Sequence, residues 1–211
     1  LYEIAKDGDI IGVSWGTTIY KMALNLKHKA LKGVQIVQLK GGISHSQNNT
    51  YAYEVVELFS EAFSTVGRYL PLPVMFDTVQ IKELIERDKH IRNILDLGRQ
   101  ANIAVFTVGT VKDDALLFRL GYIDEKDREI IQKKAAGDIC SRFFDLNGNI
   151  CDKDLDERTV GIKLEELKEK EKRILVAGSQ RKITAIEASL RGGFANILVT
   201  DQYTAEELLN K

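Results

Sequence analysis

The chain contains the stretch Val34-Gln-Ile-Val-Gln-Leu-Lys40-Gly-Gly42, an apolar run that ends in a lysine and two glycines. A short run of this kind, bounded by glycine, is typical of a buried strand. Gly41 and Gly42 let the backbone turn at the strand end and let a ligand approach it closely. A lysine in this position must find an anion, reach water or lose its proton. Lys40 and Gly41 are therefore candidate ligand-binding residues.

The residues alone leave three roles open for Lys40. A neutral lysine is a nucleophile that forms a Schiff base with an aldehyde or ketone, and desolvation or a neighbouring cation lowers its pKa enough for this. A protonated lysine would instead hold a phosphate or a carboxylate. In the third role, the side chain extends from the strand end into solvent and binds nothing.

A second strand end lies upstream, in Ile10-Ile-Gly-Val-Ser-Trp-Gly16-Thr-Thr18. Glycine followed by two hydroxyl residues at a helix start predicts an anion site, because helix N-termini expose unpaired N–H groups. Gly16, Thr17 and Thr18 would then bind a phosphate. The alternative is that one of the threonines only caps the helix. The stretch has neither the P-loop pattern nor the dinucleotide-binding fingerprint.

Two more segments carry candidate ligand-binding residues. In Val176-Ala-Gly-Ser-Gln-Arg-Lys182, a strand runs into a glycine and then into two cations at a helix start. Arg181 or Lys182 could neutralise a phosphate, because positive charge at a helix N-terminus is unfavourable without an anion. The alternative for both is a solvated cation. Asp138, which follows Gly137, could accept hydrogen bonds from sugar hydroxyls or could cap the next turn.

Short apolar runs alternate with amphipathic helical patterns, which predicts βαβ units, a parallel sheet and the α/β class. The predicted strands cover residues 10–14, 34–39, 103–108, 174–177 and 197–200, and the predicted helices include residues 18–26 and 51–63. We also predict a helix from an Asp77 cap to about residue 97, ended by Gly98, and a final helix opened by a capping box from Thr204 to Glu207. Asn147-Gly148 between apolar flanks predicts a hairpin beside the main sheet. One domain with a smaller subdomain from the middle third is expected.

Composition excludes several classes of protein. The 211 residues carry 30 basic and 31 acidic side chains, a net charge of −1, so no footprint for nucleic acid is present. His28, His45 and His90 lack metal-ligand spacing, and we expect no metal and no cofactor. Cys140 and Cys151 are expected to be reduced packing residues, with a disulfide as the alternative. No stretch approaches the ~20 apolar residues of a membrane span, which favours the cytoplasm. The start at Leu1, without methionine, suggests a fragment of a longer protein.

The motifs together, in this order along the chain, resemble the effector-binding domain of SorC-type sugar-responsive transcriptional regulators, and within that family the DeoR-like branch. The resemblance covers essentially the whole chain. It rests on Gly12-Val-Ser-Trp-Gly-Thr-Thr18, Val37-Gln-Leu-Lys-Gly-Gly42, Gly137-Asp-Ile-Cys-Ser-Arg-Phe-Phe-Asp145, Val176-Ala-Gly-Ser-Gln-Arg-Lys182 and Leu190-Arg-Gly-Gly-Phe-Ala-Asn-Ile-Leu-Val-Thr-Asp201. One departure is Ser179, where the family often has a second glycine.

The resemblance implies a fold and a function. The fold is a Rossmann-like sheet of the glucosamine-6-phosphate deaminase/ribose-5-phosphate isomerase type, with a smaller inserted part. The function is sensing of a phosphosugar by a repressor of deoxyribonucleoside catabolism, without turnover. DNA would be bound only by an N-terminal helix-turn-helix domain that this chain lacks, and the full-length regulator would be a homo-oligomer.

The resemblance also assigns roles to individual residues. In DeoR-like members, the lysine that matches Lys40 forms a Schiff base with deoxyribose 5-phosphate, whereas other SorC-type members can carry arginine there. Gly16 to Thr18 and Lys182 match phosphate contacts of the family. Asp138 matches an acidic effector contact, and Thr50 lies near another. The alternatives are a sugar-phosphate isomerase or Schiff-base aldolase of the same fold, and an oligomerisation module with an inert pocket.

Overall fold

A computed structural model describes residues 1–44 and 49–210 of the chain, so His45 lies outside the described residues. The main sheet has six strands, all parallel, in the order β3-β2-β1-β4-β8-β9. These strands are β1 (Ile10–Val13), β2 (Gln35–Gln38), β3 (Gly67–Arg68), β4 (Ile103–Phe106), β8 (Lys172–Val176) and β9 (Ile197–Val199). All five predicted strands are present, and the two-residue edge strand β3 was not predicted.

A second sheet confirms the predicted smaller part. It consists of three antiparallel strands, β5 (Val108–Gly109), β6 (Gly137–Ile139) and β7 (Arg142–Phe144), in the order β5-β6-β7. The predicted hairpin continues from β7: Phe144 pairs with Ile150, and the Asn147 N–H donates to the carboxylate of Asp145 in the turn. Along the sequence, the second sheet lies between β4 and β8, which are paired with each other in the main sheet.

Helices surround both sheets. They are α1 (Thr17–Ala23), α2 (Ala52–Ala62), α3 (Val79–Glu86), α4 (Lys89–Gln100), α5 (Leu116–Arg119), α6 (Glu125–Lys134), α7 (Lys153–Arg158), α8 (Leu164–Lys168), α9 (Ile183–Arg191) and α10 (Gln202–Leu209), with a 3₁₀ turn at Gln180–Lys182. None of the described helices is long and apolar enough to cross a membrane.

Three predicted helix boundaries are wrong: the start at Asp77, the end at Gly98 and the start at Thr204. The helix expected to start at an Asp77 cap is two helices: Thr78 caps α3, and Asp88 caps α4 through the N–H groups of His90 and Ile91. The second of these helices, α4, continues through Gly98, the predicted end, to Gln100. A glycine ends a helix only where the backbone turns left-handed. The final helix is capped by Asp201, whose carboxylate accepts the Thr204 N–H, so the predicted cap lies inside the first turn.

The core lies on both faces of the main sheet, as expected of strands that are apolar without interruption. Along β4, Ile103 and Val105 pack on one side with residues of α1 and α2. Ala104 and Phe106 pack on the other side with residues of α9 and the second sheet. Numbered within the main sheet alone, the strand order is 3-2-1-4-5-6, the Rossmann order, which reverses between β1 and β4. Ligands of open α/β sheets bind at the carboxyl ends of the strands at such a reversal.

Candidate functional site

A cavity of about 330 Å³ lies at this reversal, at the carboxyl edge of the main sheet. Its size and mixed lining are those of a site for a small molecule. Loops after four parallel strands and one wall of the second sheet form it. The lining residues include Trp15, Gly16, Thr17 and Thr18 after β1, Lys40 after β2, Thr107 to Thr110 after β4, Asp114, Asp138 on β6, and Ser179, Arg181 and Lys182 after β8.

Lys40 is buried, with 5% of its surface exposed. Within residues 1–44 and 49–210, its Nζ atom donates one hydrogen bond, to the Ser141 Oγ at 3.2 Å, and it lies 3.6 Å from the centre of the Trp15 ring. Its backbone is held in a bridge with Gly161. The role in which the side chain extends into solvent is therefore wrong, since the amine points into the protein and into the cavity.

The surroundings of Lys40 favour its neutral form. Burial lowers the pKa of the amine, and the nearby Asp138 and Cys140 oppose this shift. The aromatic face of Trp15 also favours the ammonium, by an amount on the order of 1 kcal/mol. Desolvation is the largest effect, so the pKa lies below its usual value of 10.5. A buried amine with a depressed pKa is the form that attacks carbonyl carbons.

Asp138 faces the same cavity from β6. Its Oδ2 atom accepts the Ser141 N–H at 3.2 Å, so it does cap the next turn, and it also lines the cavity. The turn-capping role is therefore confirmed, and the contact with sugar hydroxyls stays a prediction. Burial raises the pKa of the Asp138 carboxyl, while Lys40 and Lys182 oppose the shift. A carboxyl group with a raised pKa can give a proton as well as take one.

The wall that carries Asp138 has unusual backbone geometry. Cys140 and Ser141 form the two-residue turn between β6 and β7, with φ of +51° and +68°. Two positive φ angles in a two-residue hairpin loop are those of a type I′ turn, which usually contains glycine or asparagine. The turn brings the Ser141 hydroxyl to Lys40. Opposite Asp138 stands Gly109, where an added Cβ would lie 1.9 Å from the Asp138 Oδ1.

The other end of the cavity is formed by Gly16, Thr17 and Thr18. Gly16 is the N-cap of α1 with φ of +129°, and no side chain caps the helix. The alternative in which Thr17 or Thr18 merely caps α1 is therefore wrong. Among the described residues neither hydroxyl makes a hydrogen bond, so both are free to donate to a ligand. The loop is compatible with an anion and needs none for its own structure.

The two cations after β8 differ in their surroundings. Arg181 is exposed and forms an ion pair with Asp114 at 2.6 Å. Lys182 is half-buried, and in the described part of the chain its amine has no hydrogen-bond or ion-pair partner. Burial lowers the pKa of Lys182, and Asp138 opposes the shift. Lys182 is therefore the cation that an anionic ligand would satisfy. Ser179, between them and β8, has φ of +98°, a conformation that glycine adopts more easily.

Two predicted site residues lie outside this cavity. The Thr50 hydroxyl donates to the carbonyl of Gly42 and faces a second cavity of about 610 Å³, lined also by Tyr53 and Tyr69. Gly41 offers only backbone: its carbonyl accepts the Trp15 indole N–H at 2.8 Å, and an added Cβ would lie 2.0 Å from the Pro73 carbonyl oxygen. Their roles in ligand binding stay predictions.

Sequence reasoning missed four residues that shape the site: Trp15, Gly109, Ser141 and Arg142. Arg142 is 1% exposed, pairs with Asp156 at 2.6 Å and donates to the carbonyls of Thr159, Gly161 and Ile162. It thereby fixes the segment that pairs with Lys40. The one usable signal was Trp15, the single tryptophan of the chain, directly before Gly16. Nothing in the local pattern around Ser141 predicts a left-handed turn.

In the described part of the chain, the two cysteines are free thiols and no metal-binding cluster is found. Cys140 and Cys151 are free thiols, with Cys140 buried and Cys151 half-buried. Burial raises the pKa of both thiols to about 11, so they stay protonated near neutral pH. Over residues 1–44 and 49–210, no group of three or more His, Cys, Asp and Glu side chains could hold a metal ion.

Comparison with known proteins identifies the family. Residues 1–210 match the model of a sugar-binding domain family. The chain is 56% identical to the deoxyribonucleoside regulator of Bacillus subtilis strain 168, over 100% of this chain and 67% of that protein. It is 29% identical to the sorbitol operon regulator of Klebsiella pneumoniae, over 98% of this chain and 67% of that protein. The crystal structure of the full-length regulator SorC from Klebsiella pneumoniae superposes with a TM-score of 0.87 at 26% identity, over 98% of this chain and 68% of that one.

These matches agree with the motifs and with the fold. The chain spans about two thirds of the length of these curated relatives. The relatives are regulators, and none is the isomerase or aldolase considered as an alternative. Since the family model covers nearly every residue, the chain belongs to the sugar-binding domain family of SorC-type transcriptional regulators.

Proposed function

We propose that this chain is the effector-sensing domain of a bacterial repressor of deoxyribonucleoside catabolism, and that its effector is deoxyribose 5-phosphate held by a reversible Schiff base at Lys40. The observation that carries the proposal is the buried amine of Lys40, with one hydrogen bond and a lowered pKa, facing a cavity at the sheet reversal. The 56% identity to a deoxyribonucleoside regulator supports this choice of effector.

The cavity suits an open-chain aldehyde with a phosphate at its far end. The phosphate would accept hydrogen bonds from Thr17 and Thr18 and would pair with Lys182. The aldehyde carbon would meet the Lys40 amine, and Asp138 would face the sugar hydroxyls between them. Such a molecule has both groups that the two ends of the cavity can bind, whereas inorganic phosphate has only one.

Ligand binding would act on DNA through a change of state. A ligand that binds one arrangement of domains or subunits more tightly shifts the population toward that arrangement. DNA would be bound by a helix-turn-helix domain in the full-length, homo-oligomeric regulator. This chain would supply the effector site alone.

Trapping tests the Schiff base. The domain is mixed with deoxyribose 5-phosphate, reduced with borohydride, and measured by intact mass and peptide mapping. We expect one stable adduct, located on Lys40, and no adduct in Lys40→Met. Exposed Lys133→Met, which should still form the adduct, is the matched control. A domain that binds the ligand and gives no adduct would overturn the covalent step while keeping the sensor.

The two cations after β8 test the phosphate end. Lys182→Met removes an unpaired cation, and a hydrogen bond to a charged group contributes about 1.5–3 kcal/mol, so affinity for a sugar-alcohol phosphate should fall roughly 10- to 100-fold. Arg181→Met removes a cation already paired with exposed Asp114, so its effect should be less than about 3-fold. Titration calorimetry measures both. Equal losses in the two variants would contradict the assignment of the phosphate to Lys182.

A further inference from the structure

We propose that Asp138 is the proton donor and acceptor for Schiff-base formation at Lys40, with Ser141 holding the amine in place. This inference rests on the proposed function and adds to it a group that moves protons. Asp138 was expected to contact sugar hydroxyls or to cap a turn. The structure places its carboxyl group and the reacting amine, which belong to two buried residues, in the lining of one cavity, and both are hydrogen-bonded to Ser141.

Schiff-base formation needs a proton at a defined step. The neutral Lys40 amine adds to the aldehyde carbon, and a proton moves from nitrogen to oxygen to give a carbinolamine. The carbon–oxygen bond then breaks, and the leaving hydroxyl must take up a proton to depart as water. The product is a protonated imine between Lys40 and the sugar. The reverse reaction needs a base that takes a proton from the attacking water.

The geometry provides a carboxyl group for this step. Asp138 is 7% exposed, and its carboxyl group is held by the Ser141 N–H at 3.2 Å. The Ser141 Oγ accepts the hydrogen bond of the Lys40 Nζ at 3.2 Å. Lys40 and Asp138 form no direct ion pair, and both side chains line the cavity that would hold the reacting carbon and oxygen. Gly109 makes the position of the carboxyl group possible, since a Cβ there would lie 1.9 Å from Oδ1.

The charges that face Asp138 suit a group that changes protonation. Lys40 at the end of β2 and Lys182 in the 3₁₀ turn favour its ionised form. Burial favours its protonated form and is the larger effect. The Cys140 thiol stays protonated in the same turn, and the Arg142 guanidinium is occupied by Asp156 and backbone carbonyls. Asp114, the other carboxyl group of the described lining, is exposed and paired with Arg181, so Asp138 is the buried carboxyl group that the cavity offers.

A purely electrostatic role for Asp138 predicts the opposite result. The carboxylate raises the pKa of Lys40, so its removal would leave more neutral amine. If Asp138 only tuned the amine, Asp138→Asn would form the imine as fast as the wild type or faster near neutral pH. If Asp138 transfers the proton, the same variant must be slower, although its amine is more nucleophilic. The sign of the effect separates the two roles.

The experiment measures the rate of imine formation at saturating deoxyribose 5-phosphate, by borohydride quenching at timed intervals and intact mass. We expect Asp138→Asn to slow the reaction about 100-fold, within the usual range for general acid–base catalysis, and to reach the adduct eventually. The rate of the wild type should rise and then fall with pH, because it needs a neutral amine and a protonated carboxyl group. In Asp138→Asn the fall at higher pH should disappear.

Each outcome has a distinct meaning. An Asp138→Asn rate equal to or above that of the wild type, or an unchanged pH profile, overturns the role of Asp138. Absence of any adduct in the wild type would instead overturn the proposed function. Thermal unfolding and binding of a sugar-alcohol phosphate, which has no carbonyl, confirm that the variant is folded. If Asp138→Asn does not fold, Asp138→Ala gives the same comparison, and added acetate should restore part of its rate.

Discussion

Lys40 is held in the protein by weak contacts. One hydrogen bond to Ser141 and the face of the Trp15 ring stand in for the water that an ammonium group loses on burial. These contacts do not compensate fully, and for this reason the pKa of Lys40 is lowered. Binding sites often keep such unfavourable groups because function requires them. Removal of the amine should therefore stabilise the fold.

We expect Lys40→Met to be more stable than the wild type at pH 7, because burial of the Lys40 ammonium, which lowers the pKa of the amine, costs free energy that a buried methionine does not. The gain should shrink as the pH rises toward 10.5, the ordinary pKa of lysine. Between the lowered pKa and 10.5, the unfolded chain binds a proton that the folded wild type does not, so wild-type stability rises with pH there. Urea unfolding at several pH values measures this.

Lys133→Met is the control for this prediction. Lys133 is 76% exposed and lies 3.9 Å from Glu129, so its replacement should change stability by less than about 0.5 kcal/mol. A Lys40→Met variant that is less stable than the wild type at pH 7 would show that the contacts of the amine outweigh its burial. A gain that does not vary with pH would show that protonation is not its cause.

At the scale of elements, the sequence predicts what local pattern determines. Apolar runs located five strands of the main sheet, and Asn147-Gly148 located the hairpin. The strand β3 has only Gly67 and Arg68, which form no pattern, and it exists because β2 offers an open edge. The break between α3 and α4 was not predicted, because apolar residues continue at helical spacing on both sides of it.

The candidate site also contains residues that local sequence pattern predicts and residues that only tertiary contacts bring into place. Lys40, Gly16 to Thr18 and Lys182 follow strands, so parallel topology alone brings them to one edge of the sheet. Ser141 reaches Lys40 across 101 positions of sequence through a turn with two positive φ angles and no glycine. Tertiary contacts hold that turn, and no local signal marks it. Thr50 was grouped with the site on resemblance, and the fold places it at another cavity.

Replacement of Gly109 and of Gly98 by alanine should change the free energy of unfolding in opposite directions. Gly109→Ala on β5 would place a methyl group 1.9 Å from the Asp138 Oδ1, so the carboxyl group must move, and we expect a loss of about 1–3 kcal/mol. Gly98→Ala in α4 meets only the Leu39 Cδ2 at 3.7 Å, an ordinary contact. Alanine is the better helix former by about 0.5–1 kcal/mol, so this variant should gain that amount.

Thermal or urea unfolding compares the two alanine variants. Gly109→Ala should also slow imine formation, because it displaces the carboxyl group opposite Lys40. Gly98→Ala should leave imine formation unchanged, because α4 does not line the cavity. A Gly109→Ala variant as stable as the wild type would mean that Asp138 has room to move, and the proposed fixed position of its carboxyl group would be wrong.

At the scale of the whole molecule, the cavity joins two parts of the fold. Gly16, Lys40 and Lys182 belong to the main sheet, whereas Asp138 and Ser141 belong to the inserted sheet. Arg142 on β7 connects the inserted sheet to the main sheet. Its guanidinium donates to the carbonyls of Gly161 and Ile162, and Gly161 pairs with Lys40. A ligand that contacts lining residues of both sheets should therefore make local opening of the inserted sheet less frequent.

Hydrogen exchange tests this coupling. With deoxyribose 5-phosphate at ~100 times its dissociation constant, a stabilisation of roughly 2.7 kcal/mol should slow exchange of the β6 and β7 amides about 100-fold, if they open only without ligand. Inorganic phosphate, which binds one end only, should protect the start of α1 and leave β6 and β7 unchanged. Equal protection by both ligands would mean that the inserted sheet does not respond to the sugar.

The burial of Lys40 also has a consequence in time. A ligand held only by non-covalent contacts leaves when those contacts break, but a ligand bound as an imine stays until water attacks the imine carbon. Lys40 is 5% exposed and lines the cavity, so the protein around it limits the access of water to that carbon. A regulator built on this domain would keep its ligand-bound state through brief falls in sugar supply. The burial of Lys40 would thus set the lifetime of the ligand-bound regulator after the supply of deoxyribonucleosides falls.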